Sequence, residues 1–311
     1  MMLIGVNLSG LEDGSTFSTR AYFDYNVPTT SLAESWISLG CLAARIPHNL
    51  YRMQPGGQGT ALDTTYLGYS TTLAQPCLTA GGFVIFDPHG FGSIQTSGTT
   101  VDITTTTGQT QYIDYMTRLA AGIKDWMGDA DPSRVAIGLM NEPHQQTNAT
   151  YQPLWNTVIA AMRTAGYTGV ITVPWTDWQG AQQFSASNPV PAVTDPAGRC
   201  VVEVHCYLDP DDSGAGDAST STTIGVERVS GLLASTLPDC YSGIVMGEIG
   251  CPADAVSAAA LKNTLTLLNA DSRVLATTVW TTDKWLINNG NYITTDQTDP
   301  RVEAMLSCLS T

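Results

Sequence analysis

The sequence predicts a (β/α)₈ barrel, the TIM-barrel architecture, with residues 1–311 forming a single domain. Three observations lead there. Eight apolar runs of strand length recur along the chain, helical stripes separate several of them, and polar residues collect where the runs end. Parallel strands buried on both faces read as near-continuous apolar runs, and eight of them alternating with helices close into a barrel. A chain of 311 residues with 43% apolar content is long enough for one such core.

The runs fall near Leu3–Leu8, Cys41–Ile46, Phe83–Phe86, Val135–Met140, Val170–Val173, Val201–Tyr207, Gly243–Met246 and Val274–Trp280. Between them, Gln111–Met127 keeps Tyr112, Met116, Leu119, Ile123 and Trp126 on one face of a 3.6-residue repeat. Tyr151–Ala165 does the same with Leu154, Trp155, Val158, Ile159 and Met162, and Ala255–Asn269 with Ala258, Leu261, Leu265 and Leu268. Helices after the fifth and sixth runs are less distinct. An open doubly wound sheet would normally place a glycine fingerprint after its first strand, and GVNLSGLEDG is not GxGxxG. The excursions Gly92–Gly108 and Asp209–Asp217 follow strands and belong on the C-terminal rim, either as solvated loops or as substrate contacts.

Charge narrows the partners. With 28 acidic residues against 13 basic ones the net charge is −15, which disfavours nucleic acid and anionic membrane surfaces. Neutral, polar substrates fit best. No run reaches the ~18 apolar residues of a membrane helix. The start, MMLIGVNLSG, enters a strand without a charged leader region, so no signal peptide is visible. Richness in Ser, Thr and Gly, few lysines, and the sequon at Asn148 lean towards an extracellular, trimmed mature form, expected to be monomeric. The seven cysteines show no CxxC spacing, and no metal or organic cofactor is expected. A Cys251–Cys308 bridge tying down the C-terminus is expected.

In a barrel, side chains at the C-terminal strand ends converge on one mouth. Those ends carry Arg45, His89, Asn141 with Glu142, His205 with Tyr207, Glu248 and Trp280. Polar groups at the ends of apolar strands cost free energy unless partnered, and several on one rim point to function. Two glutamates facing each other across a pocket are what glycosidic cleavage needs: one donates a proton to the departing oxygen, the other attacks or activates water. Spacing along the chain does not say which does which, and a rim salt bridge would use the same letters. Pro143 ends the fourth strand and is expected to hold Glu142 extended.

At this point the motifs resemble a family. GLMNEPH at 138–144 and VMGEIG at 245–250 are similar to the two acid signatures of glycoside hydrolase family 5. GVNLSG, ARIPHN, DPHG, VPWTDWQG, EVHCYLDPDDSG and TVWTTDKW follow in order, and NEPH, HxYLDxDxSG and LSCL together resemble its endoglucanase, or cellulase, subgroup. The resemblance implies a secreted retaining hydrolase of β-linked polysaccharide or oligosaccharide, with Glu142 as acid/base and Glu248 as nucleophile. It further implies Asn141 on the sugar 2-hydroxyl, Arg45 beside Glu248, Tyr207 on the nucleophile's second oxygen and His205 beside Glu142. His89 would contact the −1 sugar, Trp280 would form its floor, and Trp175 and Trp178 would extend the platform on the leaving-group side. The chain departs from the pattern at Asp87-Pro88-His89-Gly90-Phe91, where relatives carry His-Asn-Tyr, and in HNLYRMQPGGQG, which adds Arg52. These departures leave open another β-glycan as substrate, such as mannan, mixed-linkage glucan or a bacterial exopolysaccharide. A non-catalytic carbohydrate-binding barrel would lack the two acids.

Overall fold

A computed structural model describes residues 2–96, 98–185 and 187–309. Eight parallel strands close into a barrel: β1 (Leu3–Asn7), β2 (Ala43–His48), β3 (Phe83–Pro88), β6 (Val135–Gly138), β7 (Val170–Val173), β8 (Cys200–Tyr207), β9 (Tyr241–Gly250) and β10 (Val274–Val279). They pair in chain order and β10 returns to β1. The excursion after β3 is not a plain loop. It folds into an antiparallel hairpin, β4 (Ser93–Thr96) with β5 (Thr99–Asp102), which leads directly into a helix.

Helices α1 (Thr30–Ser38), α2 (Leu50–Met53), α3 (Thr64–Thr79), α4 (Thr106–Met127), α5 (Asn148–Thr164), α6 (Ile224–Leu233), α7 (Ala255–Ala270) and α8 (Pro300–Leu309) wrap the barrel. Helix α4 begins more than a turn before its apolar stripe, because Thr105 accepts from the Gly108 amide and caps it there. Thr147 caps α5 and Asp254 caps α7 in the same way. After β7 the described residues form two short 3₁₀ turns, 177–179 and 181–183, in place of an α-helix. The segment carries Pro189, Pro191 and Pro196, which lack the amide a helix interior needs, and no 3.6-residue apolar stripe.

Period-two geometry organises the interior. Ala43, Phe83, Ile85, Ala136, Val170, Val201, Val245 and Ala276 form an apolar cluster inside the barrel. One inward step further along four of these strands come Arg45, Asp87, Thr172 and Glu203, all buried. The barrel is therefore apolar at its floor and polar immediately above. The Cys251–Cys308 bridge does not form. Cys251 Sγ donates to the Ser257 carbonyl at 3.5 Å, and Cys308 Sγ lies 3.7 Å from Thr266 Oγ1. Ser257 and Thr266 stand roughly 13 Å apart along α7, beyond the ~7 Å limit for bridged Cα atoms.

Candidate active site

Arg45 is the hub of the mouth. Its guanidinium is fully buried and donates through Nε to Glu203 Oε1 (2.8 Å) and through Nη1 to Glu248 Oε1 (2.7 Å) and Asn7 Oδ1 (3.1 Å). Nη2 reaches Asn141 Oδ1 (2.7 Å) and lies 3.1 Å from Asp87 Oδ2. Burial alone would make this cation easier to deprotonate, but Asp87, Glu203 and Glu248 overcome that and hold it charged. A planar fork with five donors suits this many anionic and amide oxygens at once, which an ammonium would not.

Glu248 reaches the mouth through an irregularity. Along β8 and β9 the register runs Val204 to Met246 and then His205 to Glu248, so Gly247 is an extra residue in β9. Strict alternation from the inward-facing Val245 would turn Glu248 outward; the bulge turns it in. Only glycine fits at 247, since a Cβ there would collide with the Glu203 carboxylate. Tyr207 Oη donates to Glu248 Oε2, and burial together with the neighbouring Glu248 charge pushes the phenol well up, keeping it a donor.

Glu142 is held from two sides. His205 Nδ1 lies 2.8 Å from its Oε1, and its own amide donates to Gln179 Oε1 at 2.5 Å. Its backbone is left-handed, with φ 45°, and not extended as expected from Pro143. The fixed amide contact to Gln179 imposes a turn where local preference alone favours extension. Glu142, His205 and Glu248 each present an atom within 4.8 Å of the others. Such a donor set has a divalent cation's spacing, but the imidazole is committed. Burial would lower its pKa, whereas Glu248, Glu142 and Glu203 push it up to about 10, so the ring serves these carboxylates as a cationic partner.

That shift predicts a pH-dependent stability. A histidine raised from 6.5 to about 10 adds stability that is complete below pH 6.5 and disappears as the pH rises through 10. Denaturant unfolding of the protein minus that of His205→Gln should therefore shrink by a few kcal/mol, roughly, between these limits. A difference that stays flat across this window would rule out a charged His205.

The remaining expected residues are placed as follows. His89 Nδ1 lies 2.8 Å from Asp87 Oδ2, and its Nε2 is 3.2 Å from Asn141 Nδ2. Trp280 stacks near-parallel on His89, centroids 5.8 Å apart. Trp178 is half exposed and stacks on His144 at 4.3 Å, opening onto a cavity of about 360 Å³ that also reaches Glu142, His205 and Tyr207. Trp175 does not join the platform: it is fully buried and edge-on to Phe184. Sequence reasoning missed Glu203, Asp87, Thr172 and Gln179. Glu203 was legible, because Glu203, His205 and Tyr207 share one strand face at spacing two. Gln179 gave no signal, since only the turn after β7 brings it under Glu142.

A closed parallel barrel with two carboxylates paired this closely in its mouth has the make-up of a glycosidase. Comparison with known proteins agrees. The family described as Cellulase (glycosyl hydrolase family 5) matches residues 5–284. Endoglucanase gh5-1 of Neurospora crassa is 28% identical over 279 residues, covering 89% of this chain and 68% of that protein. Endoglucanase 3 of Humicola insolens is 28% identical over 258 residues, covering 82% and 63% respectively. The high-resolution structure of XacCel5A in complex with cellopentaose superposes with a TM-score of 0.84 at 26% identity, covering 98% of both chains. The chain belongs to glycosyl hydrolase family 5. It spans about two thirds of the length of these two curated relatives.

Proposed function

We infer that the protein is a retaining endo-β-1,4-glucanase acting on cellulose or a related β-glucan, with Glu142 as general acid/base and Glu248 as nucleophile. The observation that carries this reading is the 4.8 Å limit on the spacing of the facing Glu142 and Glu248 atoms. Retaining enzymes hold the two carboxyl groups about 5–5.5 Å apart, whereas inverting ones leave about 6.5–9.5 Å for a water. In the first step Glu248 bonds to C1, the glycosidic bond breaks, and the leaving oxygen takes the proton of Glu142. The new Glu142 carboxylate then faces the His205 imidazolium, which stabilises it. In the second step water attacks C1, Glu142 takes its proton, and the bond to Glu248 breaks.

The supporting roles follow from hydrogen-bond polarity. Arg45 occupies Asn141 Oδ1, so the carboxamide presents Nδ2 as a donor, suited to a sugar 2-hydroxyl. Trp280, with His89 beside it, offers an apolar face to the −1 ring, and Trp178 offers one on the leaving-group side. Time-resolved NMR of β-glucan hydrolysis should show the β-anomer as the first reducing end. An α-anomer appearing first would remove Glu248 as nucleophile.

A second reading keeps the chemistry and changes the β-glycan. It is favoured by Gly90 and Phe91, which stand where relatives carry an amide and a phenol; Phe91 packs edge-on against His89 at 4.9 Å. Rates on a panel of cello-, manno- and mixed-linkage substrates separate the two. Residues 1–311 are read as one catalytic domain that acts as a monomer. An extracellular location fits a polymeric substrate too large to enter a cell; among the described residues no helix is long and apolar enough to cross a membrane. The Asn148 sequon lends no support, since its amide already bonds Asn188 and Pro189.

A further inference from the structure

The cavity beside Glu142 has a sign as well as a shape. From the catalytic mouth it runs outward between the Trp178 segment and the turn at 211–213. Asp177, Asp211 and Asp212 stand along it, and no lysine or arginine is among the described residues that line it. His205, already facing three carboxylates, is the one basic group there.

The acids are not internally neutralised. Asp177 Oδ2 accepts from the Asn188 amide at 3.0 Å and Asp211 Oδ1 from the Ser213 backbone amide at 3.3 Å, both neutral donors. The Ser213 contacts keep Asp211 below the usual carboxylate range. Asp212 differs: burial pushes it up to about 7, despite Arg228 at 3.8 Å, so it is partly charged near neutrality. The guanidinium of Arg228 is turned to the carbonyls of Tyr207, Asp209 and Pro210. Trp178, half exposed and stacked on His144, lines the same cavity. An indole and several carboxylates lining one concave pocket place negative potential where a sugar ring would stack.

We propose that this pocket is a charge-selective subsite on the leaving-group side: it takes a neutral sugar, binds one bearing a cationic amino group better, and turns away an anionic one. The cavity and its indole wall make the site, and the acids set its preference. The inference rests on the hydrolase reading only for the direction in which the glycan lies.

The test uses three cello-oligosaccharides of equal length that differ only at the former reducing end, the end this pocket receives. One carries an alditol, one an aldonate and one a 1-amino-1-deoxyalditol, giving neutral, negative and positive termini at about pH 6. The expected order of kcat/KM is amine, alditol, aldonate, with the extremes about tenfold apart at ~10 mM salt. The spread should close towards unity at about 1 M salt, where the Debye length falls to ~3 Å. The double variant Asp177→Asn, Asp211→Asn should narrow the spread at low salt. Equal rates for all three, or an aldonate penalty that persists at high salt, overturn the proposal while leaving the hydrolase reading intact. Failure to cleave any of them counts against that reading instead, and calorimetric affinities for the three ligands then decide the charge order.

Discussion

Glu248→Gln should abolish hydrolysis, lowering kcat on soluble β-glucan on the order of 10⁶-fold, the scale seen when a covalent nucleophile is removed. The carboxamide is isosteric: its oxygen can keep accepting from Arg45, while its NH2, in the place of Oε2, can donate to the Tyr207 hydroxyl, so circular dichroism and the thermal midpoint should stay near those of the parent. Near-normal turnover by the variant would eliminate Glu248 as nucleophile, whatever its position in the mouth.

Arg45→Met should have the largest effect on stability. Three carboxylates, Asp87, Glu203 and Glu248, sit around the guanidinium, each with a side chain at most 3% exposed. Removing one partner of a buried ion pair leaves an uncompensated charge and typically costs about 3–5 kcal/mol. For a chain of this size that is a fall of about 5–8 °C in Tm, accompanied by loss of activity through Glu248. Adding Glu203→Gln to Arg45→Met should recover part of the stability but none of the activity. If Arg45→Met melts with the parent, the buried network contributes no net stability.

These two variants probe parts of the molecule that were unequally legible. The eight strands fell close to their apolar runs because a strand buried on both faces needs such a run wherever it is placed. Helix α4 was found from its stripe but started too late, since Thr105 as a cap is a single-residue signal. Trp175 and Trp178 looked equivalent in VPWTDWQG, yet one is core and the other lines the cavity. The letters do not state how the turn after β7 rotates, and three successive left-handed residues, 177–179, set that rotation.

What the sequence determined by itself is the architecture and the inventory: period and length specify a closed barrel, and polar residues ending apolar strands mark its mouth. The tertiary structure alone decided the aim of each group. Glu248 points inward because one glycine disturbs the alternation of β9, and Glu142 is bent by a glutamine contributed from the neighbouring turn. Arg45 becomes a hub because barrel closure brings β2, β3, β8 and β9 around one point. Period and composition are local properties that each segment carries alone. Direction and charge environment arise only when segments distant in the chain share one low-dielectric space.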